Sequence, residues 1–170
     1  MWKSNHPPVL VSVQGPVLYF GHLYSKGLIC FMRKRQLNWE TDYEVLKQIC
    51  ENAELVGLDA AADLEALRSG EAAFILESPP AASDRIAVDM ARQAAQEMAP
   101  EPGRVILAAV LHISANMEVN LELIGEIVEV IQQRIGKDAN YCFSSEFCDE
   151  GTHFILATAE GRTAGEEETR

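Results

Sequence analysis

The chain has 170 residues, 48% of them hydrophobic and 24% charged, which are the proportions of a globular protein rather than a fibrous or disordered one. Its net charge is −12, and the acidic excess lies wholly after residue 47. That argues against nucleic acid and anionic membrane as general partners. No apolar run is long enough to cross a bilayer, and the opening residues, with Asn5, His6, Pro7 and Pro8, lack the apolar core of a signal peptide. The expectation is a cytoplasmic protein.

Residues Val9–Val13 and Val17–Leu23 are rich in β-branched and aromatic side chains and are separated by Gln14-Gly15-Pro16. Ser25-Lys26-Gly27 is a second turn signal, followed by the apolar run Leu28–Met32. Together they predict a three-stranded meander. Thr41 is placed to cap a helix running to about Asn52, with Tyr43, Leu46, Ile49 and Cys50 at helical spacing. Gly57 breaks that helix, and Asp59 is placed to start a short new one carrying Asp63.

From Gly70 the pattern becomes regular. Ala72–Glu77 is a short apolar strand. Ser83 caps a helix through Ala99, with Ile86, Met90, Ala94 and Met98 on one stripe. Pro100, Pro102 and Gly103 stop it. Val105–Ile113 is an almost unbroken apolar run, expected of a central strand covered on both faces. Asn120 caps a second helix whose Leu121, Ile124, Ile127, Val128, Ile131 and Ile135 share a face, and Gly136 ends it. Asn140–Cys148 and Thr152–Ala159 predict a hairpin across Asp149-Glu150-Gly151. The predicted order from Gly70 is β-α-β-α-β-β, a two-layer α+β sandwich with the meander and a helix appended. Two helices cover one face of such a sheet. The second face needs the meander, another copy of the chain or a separate protein. The predicted division is an extension over 1–55, a domain over 56–160 and a polar tail over 161–170.

Cys30, Cys50, Cys142 and Cys148 include no C-x2-C pair, and read as structural thiols rather than zinc ligands despite His153 nearby. No metal or cofactor is expected. Arg33, Lys34 and Arg35 form a short basic cluster that reads as a solvated loop or strand end, with a phosphate or partner patch as the sharper alternative. The 11 glycines are dispersed and form no phosphate loop, which would need several of them close together at a helix N-terminus.

Residues from about Asp63 to Ala159 resemble the C-terminal domain of the FtsZ/tubulin family. Ala62-Asp63-Leu64, Ser69-Gly70 and Ala73-Phe74-Ile75 resemble the entry to that domain's first strand. Ser83-Asp84-Arg85-Ile86-Ala87 with Ala94-Ala95 is similar to the family's G-x-x-R-A-x-x-A helix start. Val110-Leu111-His112-Ile113-Ser114 resembles its central strand, and Asn120–Gly136 its following helix. Lys137-Asp138-Ala139-Asn140 is similar to the D-P-N-A lead into the next strand, and Thr152–Ala159 to the last strand, V-x-V-x-A-T-G. The resemblance implies the family's α+β domain without its GTP-binding half.

In FtsZ a segment of the form N-x-D-x-x-D reaches the nucleotide of the next subunit. The comparable stretch here is Gly57 to Asp63. Both acids remain, one residue further apart, and glycine replaces the asparagine. A helix would put Asp59 and Asp63 on one side. The blander reading makes Asp59 an N-cap and Asp63 a solvated residue. The resemblance thus implies a non-catalytic interaction module of cell-division or cytoskeletal filaments. Its expected partners are an FtsZ/tubulin-like protein and further copies of itself, with Asp59, Asp63, Arg33, Lys34 and Arg35 as candidate contacts. A self-associating protein of drifted function is the alternative. A catalytic or small-molecule-binding reading would draw on Arg85, Arg104, His112 and His153 at a subunit interface. His112 reads as a hydrogen-bonded core residue and His153 as a surface or turn residue. No nucleophile–base pair or carboxylate dyad is legible, and no catalytic residue is assigned.

Overall fold

The computed structural model describes residues 32–51, 60–116 and 121–162. The predicted strands over 9–13 and 17–23, most of that over 28–32, and the caps at Asp59 and Asn120 lie outside them. The described elements are β1 (Arg35–Gln36), α1 (Tyr43–Glu51), α2 (Ala60–Arg68), β2 (Ala72–Glu77), α3 (Asp84–Glu97), β3 (Arg104–Ala115), α4 (Leu121–Ile135), β4 (Asn140–Phe147) and β5 (His153–Arg162).

Local chemistry accounts for most boundaries. The Ser83 hydroxyl accepts a long hydrogen bond from the Ile86 N–H at 3.4 Å at the start of α3. Gly136, at φ 103°, ends α4 in a conformation that side chains other than glycine's resist. Helix α1 begins one residue later than Thr41 would set it. The Asp42 carbonyl accepts from Leu46 N–H at 3.0 Å, while the Asp42 carboxylate holds the Asn38 N–H at 2.8 Å and both Arg35 amino groups at 2.7 and 2.9 Å. Asp42 therefore starts the helix and ties it to β1.

The five strands lie in the order β1-β2-β5-β3-β4. β5 runs antiparallel to β2, from Ala72↔Glu160 to Glu77↔Ile155, and antiparallel to β3, from Arg104↔Arg162 to Ser114↔His153. β3 and β4 are parallel, from Ala108↔Asn140 to Ala115↔Phe147. The predicted order of elements from Gly70 holds, but the predicted hairpin does not form. β4 and β5 are separated by β3. The reason is the composition of β5: Phe154, Leu156 and Thr158 face one way, Ala157 and Ala159 the other, and all five are buried. A strand that is apolar on both faces loses most water in the middle of a sheet. The loop between the two strands passes over the end of β3, where Cys148 N–H donates to Ala115 O and Ala81 N–H to Thr152 O, both at 2.8 Å. Gly151 belongs to this crossing. A Cβ there would lie 2.2 Å from Ala81 O, so no larger residue fits without moving the backbone.

Each face of the sheet carries helices. α3 and α4 cover the first, over Leu76, Leu111, Ile113, Phe154 and Leu156. Ala87, Ala91, Ala94 and Ala95 are buried and let α3 approach closely. The second face is covered by the chain's own α1 and α2. Leu37, Leu46, Leu64 and Leu67 pack on Ala73, Ile75, Ala108, Val110, Ala157 and Ala159. Each such leucine contributes about 2 kcal/mol by leaving water. The Arg68 guanidinium stacks 5.0 Å from the Trp39 ring and 4.8 Å from the Tyr43 ring, joining the end of α2 to the start of α1. The two-layer sandwich thus gains a partial third layer.

Candidate functional site

Side chains alternate along a strand, so Val110, His112 and Ser114 of β3 share the second face with Cys142, Ser144 and Glu146 of β4, which stand beside them in register. Beyond the leucines of α1 and α2 this face turns polar. His112 is 3% exposed, Ser114 4% and Ser144 fully buried. Their polar atoms meet one another, as buried polar groups must. His112 Nδ1 lies 2.8 Å from Ser144 Oγ, and His112 Nε2 lies 3.2 Å from Glu146 Oε1. Ser114 Oγ donates to the same Glu146 oxygen at 3.0 Å.

The pattern of donors decides the protons. An ionised Glu146 only accepts, so His112 Nε2 carries a hydrogen. In the neutral ring Nδ1 is then bare and accepts the Ser144 hydroxyl. Burial pushes the Glu146 carboxyl up, but bonds from His112 and Ser114, with the positive charge available on His112 and His153, outweigh it and hold the group below its ordinary 4.5. His153 stands opposite Ser114 on β5, and its Nδ1 donates to Gly151 O at 3.0 Å. The cluster opens to solvent at Glu146, whose side chain is 40% exposed.

One register step toward α2, the Cys142 thiol donates to Asp63 Oδ1 at 2.6 Å. Asp63 sits in the first turn of α2, where the helix dipole favours a carboxylate, and it is buried rather than solvated. The structure therefore brings Asp63 beside the His112 cluster, while Asp59 lies outside the described residues. The basic cluster is divided. Lys34 pairs with the buried Glu160 and stands over the Phe74 ring, Arg35 clamps Asp42 and reaches Glu77, and Arg33 is exposed.

As chemistry, this arrangement is a hydrogen-bonded network that ties β3 to β4. Ser144 has no exposed surface, so its hydroxyl is not presented to a substrate. Among the described residues no group of three or more His, Cys, Asp or Glu side chains could hold a metal ion. His112 was read as a hydrogen-bonded core residue and is one. Its partners Ser144 and Glu146 were missed because they lie 32 and 34 residues away. The available signal was a shared i, i+2 pattern: His112 and Ser114 interrupt one apolar strand as Ser144 and Glu146 interrupt another.

This architecture is matched among solved structures. A tryptophan-to-tyrosine mutant of FtsZ from M. jannaschii superposes with a TM-score of 0.53 at 19% identity, over 68% of this chain and 35% of that one. The domain has an FtsZ fold. An empty FtsZ dimer from M. jannaschii gives a TM-score of 0.51 at 22% identity, over 67% of this chain and 34% of that one. The chain thus spans about a third of the FtsZ chains it matches. No protein-family model matches the sequence, and no curated protein matches it. The FtsZ resemblance legible in residues 63–159 accordingly holds at the level of fold. No described helix is long and apolar enough to cross a membrane.

Proposed function

We propose that this chain is a non-catalytic interaction module that docks on an FtsZ/tubulin-like protein in the cytoplasm and influences its assembly. The observation that carries this reading is the match of two thirds of the chain to one third of FtsZ, a share the size of one domain. Two further features support it. One matched FtsZ structure is a dimer. The polar groups on the second face are spent on one another, with the serine hydroxyl sealed from solvent. Asp59 and Arg33 are the proposed contacts. Asp63 is assigned to fixing the start of α2 through Cys142, and self-association accompanies docking.

The test is a polymerisation assay with purified FtsZ and GTP. The protein is added at rising ratios, and light scattering, co-sedimentation and GTP hydrolysis are followed. Co-sedimentation with polymer, or a dose-dependent change in polymer mass or hydrolysis rate, is the expected result. Protein that stays in the supernatant and leaves all three curves unchanged overturns the reading. Asp59→Ala separates a contact at the segment before α2 from docking elsewhere.

A further inference from the structure

We propose that the His112–Ser144–Glu146–Ser114 network is a proton-controlled clasp on the edge strand β4. Among the described residues β4 pairs with β3 alone. Besides the backbone ladder, the polar bonds described on this face that join the two strands are His112 to Ser144, His112 to Glu146 and Ser114 to Glu146. The groups facing His112 are Ser114 from its own strand, Ser144 and Glu146 from β4, and His153 from β5, with Cys142 and Asp63 one step away on β4 and α2.

The two protonation steps open to this network differ in consequence. A proton taken up at His112 Nδ1 turns that atom from acceptor to donor. The Ser144 hydroxyl rotates to accept, no heavy atom needs to move, and the imidazolium attracts Glu146 more strongly. A proton taken up at Glu146 removes the charge that two donors share and leaves the carboxyl bearing a hydrogen of its own. The first step keeps every bond of the clasp and the second releases it. The sign follows from the lowered carboxyl: the hold on β4 is complete above the ordinary carboxylate value of 4.5 and is lost as the pH falls through the lower folded-state value.

The experiment uses the full chain, uniformly labelled with nitrogen-15. Imidazole nitrogen shifts report the His112 tautomer, and hydrogen exchange reports protection factors strand by strand, in neutral buffer and in acid. The expected tautomer is Nε2–H. The expected exchange result is a fall in β4 protection of about tenfold on acidification, with the β2–β5 ladder retaining its own. Glu146→Gln, which has no carboxyl to ionise, removes the acid-dependent step. Ser114→Ala takes one donor from the carboxylate and moves that step to higher pH, and it serves if the glutamine variant does not fold. An Nδ1–H tautomer, equal loss of protection in all strands, or variants with the wild-type pH profile each overturn the proposal.

Discussion

Replacing Lys34 by methionine keeps most of the side-chain volume and removes the ammonium group. The change is severe because of where its partner sits. Glu160 lies on β5, between Ala72 of β2 and Ile106 of β3, with a side chain 1% exposed, and Lys34 itself is only 16% exposed. At an effective dielectric constant of about 20, two unit charges at contact attract by about 4 kcal/mol. Breaking a buried pair from one side costs about 3–5 kcal/mol, because the remaining charge keeps its desolvation penalty without its partner. Lys34 also stands 4.0 Å from the centroid of the Phe74 ring, which adds about 1 kcal/mol. Lys34→Met should therefore remove about 3–5 kcal/mol of unfolding free energy, out of the roughly 5–15 kcal/mol that holds a domain together. For a chain of this size that lowers Tm by about 10 °C. Urea unfolding followed by circular dichroism, on the single variants and on Lys34→Met with Glu160→Gln, closes a double-mutant cycle. The double variant should recover most of the loss, because no charge is left stranded. A cost under about 1 kcal/mol for Lys34→Met, or a coupling energy near zero, would refute the argument.

Two other outcomes follow from the same accounting. The Arg35 fork, against the opposing effect of burial and with help from the Asn38 N–H and the Arg35 charge, holds Asp42 below its ordinary 3.8. Its stabilisation is complete above that value and is lost as the pH falls through the lower folded-state value. Arg35→Gln should flatten the acid limb of a stability–pH curve and cost about 1 kcal/mol at neutral pH, since half of the arginine is in water. An unchanged acid limb would contradict this. Thr158 Oγ1 is buried with no hydrogen-bond partner among the described residues, so Thr158→Val should raise stability by about 1 kcal/mol in the same assay, and a loss would show that the hydroxyl is satisfied.

Much of the fold could be read from period and punctuation. β2 begins and ends at Ala72 and Glu77 as its apolar pattern predicts, and α4 runs from Leu121 to Ile135, just inside the expected Asn120 and Gly136. These features are local, written within a few residues of one another. Pairing is not local. The short turn at Asp149-Glu150-Gly151 suggests a hairpin, but the placement of β5 depends on strand residues 39 to 88 positions earlier in the chain. The same limit hid the polar site. The His112 hydrogen bond spans 32 residues and the Lys34–Glu160 pair spans 126. Neither leaves a signature in a window of helical or strand length. The second-face cover was half legible: α1 and α2 were expected as helices, but not as the lid over the sheet.

The position of β5 has a consequence for how the protein is made. The last of the described strands fills the gap between two strands laid down long before it. A ribosome that has produced everything up to Thr152 has delivered β2 on one side and the β3–β4 pair on the other, with no described strand between them. Completion of the sheet must wait until β5 has been translated, and a stop codon or a proteolytic cut before His153 leaves two unmated strand edges in water.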